Sequence, residues 1–268
     1  QIGSGELTAT LAYAGNNGGH DSSAITATVT KRGDNYVLNG SYRYVIDGDS
    51  SELLIVAVRR PSTVGDEGVS LFCLSRDALG VKTKWLPTMD QTRRQAEITL
   101  TNVTLGKDAL MGEEGNAWPA LEKALDLATI AVAAEQAGGA QQVLDMTVAY
   151  TKERQQFGRT IASFQAVKHQ AADMMVAAES AKSAIYYAGC VAHEAMHGGP
   201  LGAELAEAAS IAKAQCSAAF FANASTAIQL HGGVGFTWEY DVHLYFKRAK
   251  SSEILFGNAQ YHRERLAK

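Results

Sequence analysis

Close to residue 113 the spacing of the apolar residues changes, and this change sets the fold class. Before it, apolar and polar residues alternate, as in Ile25, Ala27 and Val29 against Thr26, Thr28 and Thr30, and again at Ala96, Ile98 and Leu100. A period of two buries one face of a β-strand. Leu53 to Val58 has the unbroken apolar character of a strand covered on both faces. RGDN at 32–35, Asn39-Gly40 and Gly48 provide turn signals. After EEGN at 113–116 the period becomes that of a helix, beginning at Trp118-Pro119, where proline suits a first turn. Leu205, Ala208, Ala212, Cys216 and Ala219 share one helical face, and their small size implies close approach of neighbouring helices. The expected architecture is α+β: a β-sandwich or barrel over 1–113, then an antiparallel four-helix bundle over 114–268. Its helices are expected near 117–155, 162–195, 201–229 and 238–266, with short connections.

A chain of 268 residues, 46% of them hydrophobic, can bury a sizeable core. A formal charge of −4 gives no footprint for nucleic acid. No run approaches the roughly 20 apolar residues that cross a bilayer, and no signal peptide opens the chain, so a soluble, cytoplasmic protein without membrane partners is expected. The opening QIGSGELTA lacks an initiator Met, and further residues upstream are expected. Cys73, Cys190 and Cys216 lack metal-ligand spacing; they read as buried small hydrophobes, with no metal site.

The segment QLHGGVGF at 229–236 closes an alanine-rich stretch with three glycines, Gly232, Gly233 and Gly235. Glycine statistics alone favour a helix C-cap followed by a turn over a backbone left bare for a ligand. Two further motifs bear on the choice: YTKERQQFG at 150–158 and FQAVKHQAADM at 164–174. With QLHGGVGFTWEYDVHLYFKRAK at 229–250, and in this order after a β-domain, they resemble the acyl-CoA dehydrogenase family over essentially the whole chain. The family's usual leading helical domain is absent from this sequence.

The resemblance implies FAD, with its adenylate end held partly by a neighbouring subunit. On it, Arg154 pairs with the pyrophosphate and Phe157 packs beside it. Phe164 and Gln165 approach the adenine, and Gln229, Gly232 and Gly233 pass against the adenosine. The implied reaction is oxidation of an acyl-CoA to the 2,3-enoyl-CoA, in fatty-acid or steroid side-chain β-oxidation. It pairs hydride transfer with removal of an α-proton by a carboxylate.

The two usual positions for that carboxylate hold Phe256, in EILFGNAQ, and Ala128, in LDLATIAVAAEQ. Neither accepts a proton, so no catalytic base is expected at either. Glu253, read as one helical turn before Phe256, is a weak displaced candidate, and Glu135 suits polar contact between helices. The flavin side departs as well. Ala14, Gly15 and Asn16 precede NGGHD where the family commonly has a threonine and Glu-Pro before AGSD, so hydroxyl contacts are lost at Ala14 and His20, and Tyr44, Val45 and Ile46 stand where the family has Trp-Ile-Thr. Retained contacts reach a neighbour's cofactor, and lost ones would serve the chain's own. The chain therefore resembles the non-catalytic subunit of actinobacterial heteromeric acyl-CoA dehydrogenases, with a homologous subunit as partner in a heterotetramer or dimer of dimers. A self-sufficient flavoenzyme with a displaced base, and a cofactor-free structural or regulatory relative, remain as alternatives.

Overall fold

The computed structural model describes residues 1–15 and 19–268, which divide into two compact units, 1–122 and 123–268. Asn16 lies outside the described residues. The first unit is built from eight strands: β1 (Ala9–Ala12), β2 (Thr28–Arg32), β3 (Asn35–Ile46), β4 (Leu53–Arg59), β5 (Val69–Ser75), β6 (Val81–Leu86), β7 (Gln95–Leu105) and β8 (Leu110–Met111). They pair in the order β6-β7-β3-β2-β4-β5-β8, with β1 added in parallel to β4. A single residue pair, Thr28 with Arg59, joins β2 to β4. Leu38, Tyr42, Val56, Phe72 and Ile98 meet in one core, all fully buried. The Tyr42 hydroxyl is satisfied there by the Ala57 carbonyl at 2.9 Å.

The alternation read in the sequence is real: Ala27 and Val29 are buried, and Ala96, Ile98 and Leu100 face inward along β7. RGDN forms the β2–β3 hairpin, with Arg32 opposite Asn35. Asn39-Gly40 is not a turn. It lies inside β3, where the register against β7 shifts between Leu38 and Gly40, and a side chain at 40 would meet the Ala27 backbone at 2.6 Å. The dipeptide makes a bulge because β3 continues through it and Asn39 accepts the Asn102 amide at 2.8 Å.

The second unit contains α1 (Trp118–Glu153), whose first residues belong to the strand unit, then α2 (Gln165–His197), α3 (Leu205–His231), α4 (Val242–Ile254) and α5 (Ala259–Leu266). Between α1 and α2 a small hairpin forms from β9 (Gln155–Gln156) and β10 (Arg159–Thr160). The small-residue face of α3 is buried as expected, with Ala208, Ala212, Cys216 and Ala219 at most 4% exposed. Asn223 joins three helices, donating to the Ala140 carbonyl at 3.1 Å and the Met174 carbonyl at 3.0 Å. Cys216 is buried and its thiol is pushed up to about 12 by desolvation. Cys190, expected inside, is exposed on α2, and Cys73 is half-buried, so only Cys216 behaves as a core hydrophobe.

The helix expected at 238–266 is two helices. Leu255 is extended, Phe256 has φ 57°, Gly257 has φ 103°, and Asn258 caps α5 by accepting the Tyr261 amide at 2.9 Å. This elbow is held from beneath by fully buried Lys213 of α3. Its ammonium donates to the carbonyls of Ser252, Glu253 and Gly257 at 2.9–3.0 Å and to Ser217 at 3.1 Å. Buried His262 places Nε2 3.0 Å from the Phe256 carbonyl. No helix among the described residues is long and apolar enough to cross a membrane.

Candidate functional site

The two segments carrying the proposed cofactor contacts converge at one end of the helical unit. Helix α1 stops at Glu153, and the Arg154 amide still donates to the Tyr150 carbonyl at 2.9 Å while its own carbonyl accepts from Ile161 at 2.8 Å. Arg154 is exposed, and among the described residues its guanidinium has no carboxylate or hydrogen-bond partner. The hairpin turns at Phe157-Gly158 with φ of 55° and 75°. Two left-handed residues are the signature of a type I′ turn, which favours Asn-Gly. Phenylalanine in that position is strained, and its ring is 90% exposed. It meets Phe164 edge-on at 6.1 Å, and Arg159 lies over the Phe164 ring at 4.1 Å. Phe164 sits at the N-cap of α2 with exposed Gln165 following.

A strained, exposed aromatic side chain contributes little to the fold, which yields a separable test. Phe157→Asn, better suited to the left-handed turn, should leave the melting temperature unchanged or raise stability by about 1 kcal/mol. On the family resemblance, flavin retention in a complex with a homologous chain should fall in the same variant. Loss of stability without loss of flavin would show that the ring serves the fold instead.

At the end of α3, Gln229 is exposed and the three glycines have different reasons for being glycine. Gly232 caps the helix at φ 63°, returning its amide to the Gln229 and Ile228 carbonyls. A side chain at Gly235 would meet the Ile228 carbonyl at 2.9 Å. Gly233 has no positive φ and nothing within 4 Å of a side chain placed there. The described fold imposes no steric or conformational demand for glycine at 233, which sets it apart from Gly232 and Gly235. The next residues expose Phe236 at 72% and Trp238 at 71%.

His231, Tyr150 and Tyr240 carried no weight in the sequence reading, yet they join the two segments. The Tyr150 and His231 rings stack at 4.1 Å with planes 18° apart, and the Tyr150 hydroxyl donates to the His231 carbonyl at 3.2 Å. Tyr240 stands edge-on to both, at 5.5 and 5.7 Å. The spacing of Tyr150, four residues before Arg154 in YTKERQQFG, was the available signal.

The expected base positions offer no base. Phe256 is half-buried in the α4–α5 elbow and Ala128 is half-buried within α1. Glu253 is not one continuous turn before Phe256, because α4 ends at Ile254; its carboxylate pairs with Lys250 at 2.8 Å. Glu135 accepts from Arg248 at 3.3 Å and Ser252 at 3.2 Å, a contact from α1 to α4. On the strand unit, Tyr44 is 60% exposed at φ 61°, and the Ile46 carbonyl accepts the Thr10 hydroxyl at 2.6 Å. Ala14 and His20 are half-buried. No cluster of three or more metal-ligating side chains occurs among the described residues.

The family described as acyl-CoA dehydrogenase, C-terminal domain, matches residues 115–268. Acyl-CoA dehydrogenase IpdE2 of Mycolicibacterium smegmatis is 37% identical over 214 residues, covering 80% of this chain and 57% of the relative. The mitochondrial short/branched chain specific acyl-CoA dehydrogenase of Bos taurus is 29% identical, covering 98% of this chain and 60% of its own. The chain thus spans 57 to 60% of the length of these two relatives. Butyryl-CoA dehydrogenase from Megasphaera elsdenii superposes with a TM-score of 0.90 at 28% identity, over 98% of this chain and 68% of that one. A glutaryl-coenzyme A dehydrogenase in complex with glutaryl-CoA superposes with a TM-score of 0.91 at 26% identity, over 99% and 66%.

Proposed function

The chain belongs to the acyl-CoA dehydrogenase family, and from that premise we propose that it is a base-lacking subunit that completes the FAD site of a homologous partner. The complex would oxidise an acyl-CoA, fatty or steroid in side chain, to the 2,3-enoyl-CoA. One observation carries the proposal: Arg154, Phe157, Gln165, Gln229 and Gly233 are exposed while the base positions are filled by Phe256 and Ala128. Arg154, unpartnered among the described residues, strained Phe157 and sterically free Gly233 fit a pyrophosphate and adenosine arriving from outside the subunit.

The family is FAD-dependent, and the flavin supplies the hydride acceptor when bound. Arg154 would bind the phosphate oxygens through charge-assisted hydrogen bonds. Phe157, Phe164 and Gln165 would flank the adenine, and Gln229, Gly232 and Gly233 would line the adenosine with backbone. Removal of the α-proton falls to the partner, because neither Phe256 nor Ala128 has a proton-accepting atom.

The self-sufficient reading would need Glu253 as base; that carboxylate lies in the last turn of α4 and pairs with Lys250 at 2.8 Å. The cofactor-free reading leaves Phe157 and Gly233 without a reason. Phe256→Glu restores the family's usual residue and tests the proposal. It should give no α-proton exchange with a panel of acyl-CoAs, and it should cost about 1 to 2 kcal/mol from loss of a half-buried ring. Robust exchange in the variant chain alone would show that the subunit holds its own flavin and substrate.

A further inference from the structure

The proposed cofactor face is made of two segments distant in sequence, and a face of this kind works only if their spacing is fixed. Arg154 follows the C-terminus of α1, and Gly232-Gly233 follows the C-terminus of α3. Tyr150 lies one turn before Arg154 and is tied to it by the Arg154 amide at 2.9 Å. His231 directly precedes Gly232. The stacked rings and the hydroxyl-to-carbonyl bond between these two residues therefore connect the segments immediately behind the ligand-facing atoms.

The His231 ring is held in one orientation. Nδ1 lies 2.8 Å from the Ala227 carbonyl, so in the neutral ring Nδ1 carries the hydrogen, and the ring is buried. Tyr150 from α1 packs on one side and Tyr240, from the segment after α3, on the edge. Neither neighbour is a carboxylate that would compensate a positive ring.

We propose that Tyr150 and His231 are a positioning pair, which holds Arg154 and the Gly232-Gly233 backbone at the spacing needed to engage pyrophosphate and adenosine together, with His231 neutral. The proposal rests on the cofactor-face reading and deepens it. Desolvation holds the His231 pKa below its usual 6.5. A lowered histidine pKa contributes stability that is present above the unfolded value and lost as pH falls through the folded one. The pair should accordingly weaken on the acid side of 6.5.

The test uses the complex formed by co-expression with the neighbouring acyl-CoA dehydrogenase chain, together with this chain alone. In the complex, Tyr150→Phe should raise the FAD dissociation constant about 3- to 10-fold, the size of one lost neutral hydrogen bond. The wild-type constant should rise as pH falls through the lowered pKa of folded His231, and His231→Gln, which keeps a donor but does not titrate, should flatten that profile. In the chain alone, Tyr150→Phe should raise amide hydrogen exchange at both 155–161 and 232–235, with little change in melting temperature. Arg154→Ala separates the two levels of inference. If it also leaves FAD affinity unchanged, the cofactor-face reading fails. If it weakens FAD while Tyr150→Phe does not, or if exchange rises only beside residue 150, the positioning pair is overturned. A pH profile identical in wild type and His231→Gln overturns it as well.

Discussion

Lys213→Met should destabilise the helical unit by about 3 to 5 kcal/mol and release the α4–α5 elbow first. Methionine has nearly the length and volume of lysine, so the effect isolates the ammonium. That group donates to three main-chain carbonyls and to Ser217, which in turn bonds Gln136 of α1. Removing it leaves several buried acceptors without donors, while the desolvation penalty of the lost charge partly offsets the damage. Unfolding of the helical unit, followed by far-ultraviolet circular dichroism, should shift on the order of 10 °C downward. Hydrogen exchange should rise at 255–258 before it rises elsewhere. A variant of wild-type stability would mean that solvent reaches these carbonyls and that Lys213 is not what holds the elbow.

Arg154→Ala should lower FAD affinity in the assembled complex by roughly one to two decades, corresponding to one lost charge-assisted hydrogen bond to phosphate. The stability of the chain should barely change, because the guanidinium has no partner among the described residues to lose. Arg154→Lys should recover part of the affinity: it retains charge but loses the planar fork that meets two phosphate oxygens. Raised salt should weaken wild type more than Arg154→Ala. Unchanged flavin content in the alanine variant after exhaustive dialysis would remove Arg154 from the site.

The helical period, the buried small-residue face of α3 and the strand alternation were legible because each is a repeated local pattern. Asn39-Gly40 was misread, since the dipeptide that favours a hairpin also suits a bulge, and only the pairing of β3 with β7 distinguishes them. The elbow at 255–258 was missed although Gly257-Asn258 combines a helix-stop residue with an N-cap. Apolar spacing across FGN was read through it, and the device that stabilises the break, Lys213, comes from more than 40 residues away. The exposure of Cys190 depends on which side of α2 faces outward, which composition does not reveal. Arg154, Phe157 and the glycines came from motif resemblance, whereas the Tyr150–His231 stack is a tertiary contact with no periodic signature. Gly233 was visible as a glycine, but only the structure separates it from Gly232, whose φ is positive, and Gly235, where a side chain would meet backbone.

The most direct measurement is the flavin absorbance of this chain purified alone and purified after co-expression with a homologous acyl-CoA dehydrogenase chain, scored as FAD per subunit after dialysis. If the subunit completes a partner's site, the chain alone should carry little FAD and show negligible acyl-CoA oxidation, while the complex retains FAD and turns over. Stoichiometric flavin with steady turnover in the isolated chain would contradict that account.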